Sequence, residues 1–313
     1  VLSLPLNDPI ILFYGRAITA MRSQPISDPV SWRYQAAIHD YPPESATFAE
    51  RLDADPFAVS GEALPSSADQ TRFWRQCQHA SWYFLPWHRM YLHHFERIIM
   101  GHVSRLGGPS DWALPYWNYS ASAAAGLFPE HFRSATLADG TANPLFIVQR
   151  DARANGGTAF ASTAQTDITA CLAQPSFQAP GASPSFGGPR TVFSHNPGPT
   201  GSLEGTPHGS MHVAISGPPV ADPSAAGAVR RGFMANFTRA PLDPIFWLHH
   251  CNIDRLWKVW RRDAAHTDPA TADWLTSVPF SFHDATGAIL NMTPSQVIDT
   301  RPLPLEYIYD DEP

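Results

Sequence analysis

Apolar positions recur three and four residues apart in several separated stretches, and no run of period-two alternation is comparably strong, so the chain reads as mainly α. Helices are predicted over residues 11–22 and 31–40, the second closed by Tyr41-Pro42-Pro43, which cannot continue a helix. Residues 69–101 read as two helices broken near Pro86, one over 69–83 and one over 87–100. From 105 to 205 the chain is rich in Gly, Pro, Ser and Ala. Residues 179–201 can hardly hold regular structure, and a long surface excursion is expected there. A helix is predicted after Thr206, an N-cap residue, with Pro207 at the first helical position. Asp243-Pro244 repeats that signal for a helix to about residue 262, which sets His250, Ile253, Asp254 and Trp257 on one face. The histidine-bearing helices come as two pairs. The expected fold is a four-helix bundle with a site between facing helices, surrounded by long irregular loops.

Composition narrows the function. The 313 residues, 43% of them apolar, can bury one large core, so a single domain over 1–313 is expected. A net charge of -7 with no Lys/Arg cluster argues against nucleic acid as a partner. No apolar run is long enough to span a membrane, and VLSLPLNDPI lacks the basic segment of a signal peptide. Cys77, Cys171 and Cys251 are too few for a disulfide framework. What stands out is 14 histidines and 10 tryptophans in a chain only 16% charged.

The histidines cluster. His208 and His212 are one helical turn apart, where both imidazoles can reach one metal. In HASWYFLPWHRMYLHHFERI, His79 and His88 sit amid Trp82, Phe84, Trp87, Tyr91 and Phe95, an aromatic wall that would exclude water. DPIFWLHHCNIDRLW adds His249 and His250 in similar company. Imidazole donors without a carboxylate or thiolate cluster suit Zn, Cu, Fe or Ni, and two all-histidine sets of three favour copper. A mononuclear zinc hydrolase would leave three of these histidines unexplained and has no general base within the motifs.

These segments resemble the tyrosinase and catechol oxidase family. His79, then Phe84-Leu85-Pro86-Trp87-His88-Arg89, Leu92 and Glu96 is similar to the family's first copper signature. Asp243-Pro244-Ile245-Phe246-Trp247, His250 and Asp254 is similar to the second. The resemblance implies two copper ions, one held by His39, His79 and His88, the other by His208, His212 and His250. It also implies a thioether between Cys77 and His79, a water held by Glu204, and Phe237 as a bulky gate over the first copper. Asp254, one turn beyond His250, is expected to accept an imidazole N–H and orient that ligand, with an ion pair to Arg89 or Arg255 as the alternative.

Three positions depart from the family's pattern. Gly209 follows His208 where many monophenol-hydroxylating members carry Asn, Val213 follows His212 and would favour uncharged phenols, and Asn118 stands where Asp is common. The activity implied is oxidation of o-diphenols to o-quinones by dioxygen, with weaker hydroxylation of monophenols. A true tyrosinase and a haemocyanin-like oxygen carrier are the alternatives. The chain ends at LPLEYIYDDEP, whose Tyr307-x-Tyr309 resembles the motif closing the family's catalytic domain, so no C-terminal lid domain is expected. A secreted or periplasmic setting is expected over a cytoplasmic one. Helical spacing turns His93, His94 and His249 away from the ligand direction, into packing roles, and leaves His102, His131, His195, His266 and His283 on surfaces or loops.

Overall fold

A computed structural model describes residues 1–41, 61–137, 139–179, 184–192, 198–221 and 229–312. Its helices are α1 (Pro9–Arg22), α2 (Trp32–His39), α3 (Ser67–Phe73), α4 (Phe84–Arg105), the single turns α5 (Ala152–Asn155), α6 (Thr163–Thr166) and α7 (Thr169–Leu172), then α8 (Ser210–Ser216), α9 (Ile245–Trp260) and α10 (Ala272–Leu275). Among the described residues the only sheets are two antiparallel pairs: β1 (Val220–Ala221) with β2 (Val229–Arg230), and β3 (Phe280–His283) with β4 (Ile289–Met292). The chain is mainly α, as its spacing predicts. No helix among the described residues is long and apolar enough to cross a membrane.

Local chemistry sets the helix ends. The Asp8 carboxylate accepts from Ile10 N at 2.9 Å with Pro9 at the start of α1, and the Ser31 hydroxyl accepts from Tyr34 N at 3.2 Å to open α2. α2 ends at His39, while the Pro42-Pro43 stop lies outside the described residues. Asp243 Oδ1 accepts from Ile245 N at 3.1 Å at the head of α9. α4 stops where Gly107 takes φ +74°, a left-handed turn that costs glycine little.

α1 and α9 both pack on α4. Tyr91, Phe95 and Trp247 meet at that junction, with the Phe95 and Trp247 rings stacked. The ligand-bearing elements are α2, the irregular segment before α4 that carries His79, α4, the π-helical turn leading into α8, α8 itself, and α9.

Four expectations need correction. The helix predicted over 69–83 ends at Phe73. Residues 74–83 are irregular, with left-handed φ at Arg75 (59°) and Ala80 (49°), and Pro86 lies in the first turn of α4 instead of at a break. The helix predicted to start after Thr206 continues from a π-helical turn, Glu204–Gly209, interrupted at Thr206 itself (φ -143°, ψ 124°). Thr206 therefore has the extended backbone of an N-cap, but its side chain makes no capping bond. The β3–β4 hairpin was not expected. Its signal was the turn Asp284-Ala-Thr-Gly287, where Asp284 Oδ1 accepts from Thr286 N and Ala288 N and Gly287 has φ +82°. Finally, His102, His131 and His283 are buried, because helix end, loop and hairpin all fold back onto the core; His195 lies outside the described residues. The described part of 179–201 has no helix or strand, as expected.

Candidate metal centre

Two histidine groups face each other inside the helical core. His39, Cys77, His79 and His88 form one, and His208, His212, His249 and His250 the other. Within each group the donor atoms all lie within 4.8 Å of one another. The groups adjoin: the His88 and His250 rings stack at 4.4 Å, and the His79 and His208 centroids are 6.1 Å apart.

Backbone carbonyls fix the ring orientations. The Nδ1–H of His39 donates to Phe237 O at 2.8 Å, that of His88 to Phe84 O at 2.8 Å, that of His208 to Glu204 O at 3.0 Å, and that of His212 to Met234 O at 2.5 Å. A carbonyl only accepts, so each of these nitrogens carries its proton and each Nε2 presents a lone pair. The buried Nε2 atom of His208 has no partner, and those of His212 and His250 meet at 3.3 Å. Buried acceptors without donors are costly, and a cation between them resolves the deficit. Burial pushes the pKa of His88, His208 and His250 well below the ordinary value and that of His212 to about 4, so the rings stay neutral and able to ligate. Neutral imidazoles in two adjoining groups fit a pair of copper ions.

The aromatic wall is present: Trp82, Phe84, Trp87, Tyr91 and Phe95 are all buried. Phe237 lies with its ring 4.6 Å from that of His79, so one residue both covers the first group and orients His39 through its carbonyl. Cys77 Sγ is 3.4 Å from His79 Nδ1 and 3.7 Å from its Nε2, facing the ring carbon between them, and 3.4 Å from His88 Nε2. Burial raises the thiol's pKa well above its usual value.

Glu204 joins the two halves. Its Oε1 accepts from Ala80 N at 2.8 Å, next to His79, while its backbone carbonyl holds His208. That bond helps offset the left-handed backbone at Ala80, which turns the loop so that His79 enters the site. Glu204 Oε2 is buried without a protein partner, and burial raises the carboxyl's pKa to about 8. Phe237 is 43% accessible beside the first group; Val213, next to His212 in sequence, is 49% accessible, and Gly209, the last residue of the π-helical turn, is half-buried.

Two site assignments change. Asp254 touches no imidazole. Its Oδ1 binds Arg89 Nε at 2.5 Å and its Oδ2 accepts from the hydroxyls of Tyr307 and Tyr309, so the ion pair, not ligand orientation, is its role. His249, set aside by helical spacing, lies within the second group. It stacks on Tyr119 as a packing residue would, yet neither ring nitrogen has a partner. Adjacent positions on a helix differ by about 100°, but α9 is buried on every side here, so both rings point into protein. His93 and His94 pack as expected, His94 against Phe282 and Met292.

Residues 29–263 match the common central domain of tyrosinase. Tyrosinase HcTyr1 of Hahella sp. (strain CCB-MM4) is 35% identical over 312 residues, covering 97% of this chain and 61% of that protein. A chloroplastic polyphenol oxidase of Malus domestica is 30% identical over 316 residues, covering 95% and 46%. The solved structure of Grenache (Vitis vinifera) polyphenol oxidase superposes with TM-score 0.64 at 26% identity, covering 97% of this chain and 82% of that one. The latent apple tyrosinase structure shares the fold with TM-score 0.67 at 24% identity, covering 99% and 62%. The chain thus spans about half to three fifths of the length of the first two relatives. With paired histidine groups at the positions the motifs require and a family match over most of its length, the chain belongs to the tyrosinase family of type-3 dinuclear copper proteins.

Proposed function

We propose that the protein oxidises o-diphenols to o-quinones with dioxygen, and hydroxylates monophenols more weakly. The observation that carries this reading is the pair of adjoining histidine groups with the exposed Phe237 ring 4.6 Å from that of His79, where a phenol ring can pack beside the first group. Bound copper would supply the two-electron exchange between phenol and dioxygen.

The residues do the rest. His39, His79 and His88 would hold one ion and His208, His212 and His250 the other, the tautomers of His39, His88, His208 and His212 fixed by the carbonyls already named. Phe237 offers an aromatic edge against which the substrate ring can pack. Glu204 Oε2 lacks a protein partner at a buried position, which suits a bridging water that carries away the phenol's protons. Cys77 Sγ faces the His79 ring carbon, an arrangement suited to the thioether, which would show as loss of two hydrogen atoms from the intact mass.

Gly209 supports the bias toward diphenols, because the position after His208 carries no side-chain amide to polarise that water. The relative named as a tyrosinase supports the second reading, monophenol hydroxylation as a principal activity. Oxygen uptake by the copper-loaded protein with 4-methylcatechol and with p-cresol separates them. Rapid uptake with the catechol and slow uptake with p-cresol is expected. Comparable rates would establish the second reading, and no uptake with either would overturn both.

A further inference from the structure

We propose that the protein's surface is cleared of the nucleophiles that an o-quinone alkylates, so that the folded chain tolerates its own product. The proposal rests on the phenol-oxidase reading, which makes that product a reactive electrophile.

An o-quinone adds a neutral amine or a thiolate at a ring carbon. The C–N or C–S bond forms, a proton passes to ring oxygen, and the ring becomes a catechol again, so no further oxidant is needed. Arginine takes no part, because its guanidinium keeps its proton, whereas an exposed lysine of pKa about 10.4 always holds a small share of free amine. The chain has 20 arginines and a single lysine, Lys258. Lysine is ordinarily among the commonest residues, so this imbalance removes one class of target while keeping the positive charges.

The targets that remain are folded away. Lys258 lies on α9 with its side chain 10% exposed, and its ammonium meets Glu312 Oε2 at 3.4 Å and Asp299 Oδ1 at 3.9 Å. Burial lowers its pKa, which increases the free amine, so its protection is steric. Cys77, Cys171 and Cys251 are buried, at 0%, 1% and 6% exposure. Cys251 is the least secluded of them, since it lines a cavity of about 300 Å³ with residues of α4 and the segment 307–310. No histidine among the described residues is exposed. The half-buried His266 stacks on Trp260 and donates from Nδ1 to Trp260 O at 2.8 Å.

The test supplies the quinone ready-made, so its readout does not depend on turnover. The copper-loaded full chain is held with 4-methyl-1,2-benzoquinone, and intact mass with peptide mapping counts the adducts, the terminal amine being scored separately. The folded wild type should carry none on Lys258 or any cysteine, whereas the urea-unfolded chain should carry them on Lys258, Cys171 and Cys251. Arg105, Arg153 and Arg301 are exposed, and Arg105→Lys, Arg153→Lys and Arg301→Lys combined restore three accessible amines without changing the net charge. That variant should be alkylated at all three positions, about tenfold faster at about pH 8 than at about pH 7, as the free amine increases. Adducts on Lys258 or a cysteine of the folded wild type would overturn the proposal. So would a variant no more reactive than the wild type, which would make the shortage of lysine a matter of composition alone. Turnover of 4-methylcatechol by the same samples reports the phenol-oxidase reading separately. If the wild type does not oxidise it, that reading fails, and the protection has no product to act against whatever the adduct count.

Discussion

Asp254→Asn should destabilise the protein severely while leaving its chemistry largely intact. The carboxylate is 3% exposed and Arg89 is fully buried, its guanidinium 3.9 Å from the Trp257 ring. Arg89 also donates to Val297 O at 2.8 Å and Ile298 O at 3.1 Å, so it cannot swing out to water without breaking the chain's return over α4 and α9. The substitution keeps the shape but leaves a buried cation without its counter-charge and two tyrosine hydroxyls with a weaker acceptor. Breaking a buried pair costs about 3–5 kcal/mol. In a domain of this size 1 kcal/mol corresponds to roughly 2 °C, so Tm should fall by about 6–10 °C. Tyr309→Phe, which removes one bond to a charged acceptor, should cost about 1.5–3 kcal/mol and lower Tm by roughly 3–6 °C. Thermal unfolding of the metal-free proteins, followed by tryptophan fluorescence, measures both, and catechol kinetics at low temperature should show KM unchanged. A Tm shift below about 3 °C for Asp254→Asn would refute the argument. So would an unchanged Tm with a large loss of kcat, which would return Asp254 to the ligand-orienting role.

Further outcomes follow from the same geometry. Glu204→Gln keeps an oxygen for Ala80 N, so copper content should stay the same while kcat for catechol falls by about a hundredfold if the carboxyl handles protons; unchanged kcat would remove it from the chemistry. A Cβ at Gly209 would meet only Glu204 O, at 3.2 Å, so Gly209→Asn should fold and should raise the p-cresol rate relative to the catechol rate, measured by oxygen uptake. Burial lowers the pKa of His93, His94, His102 and His283 to about 4, 3, 4 and 4. Between those values and the ordinary histidine range the unfolded chain binds protons that the folded chain refuses. Stability of the metal-free protein is therefore full above about pH 6.5 and is lost as pH falls toward about 4, which urea midpoints across that window will show.

What could be read from the sequence was set by local rules. The starts of α1, α2 and α9 follow from Asp8, Ser31 and Asp243-Pro244, each a cap that acts within three residues. The His208/His212 pair follows from a single helical turn. What could not be read depends on contacts far along the chain. Apolar residues through Trp74 and Cys77 suggested a helix where the chain instead turns at Arg75 and Ala80, because Glu204, more than a hundred residues later, holds the Ala80 amide. Asp254 was placed on the correct helix face, but its partners Tyr307 and Tyr309 arrive from the end of the chain. His249 was judged by its angle on an isolated helix, and burial of the whole of α9 made that angle a poor guide.

The central claim is that the two histidine groups each hold one copper ion. Metal analysis of the copper-reconstituted protein, alongside His88→Ala and His208→Ala, tests it most directly. Two copper ions per chain in the wild type and about one in each variant is the predicted result. A single copper per chain in the wild type, or full copper in both variants, would contradict it.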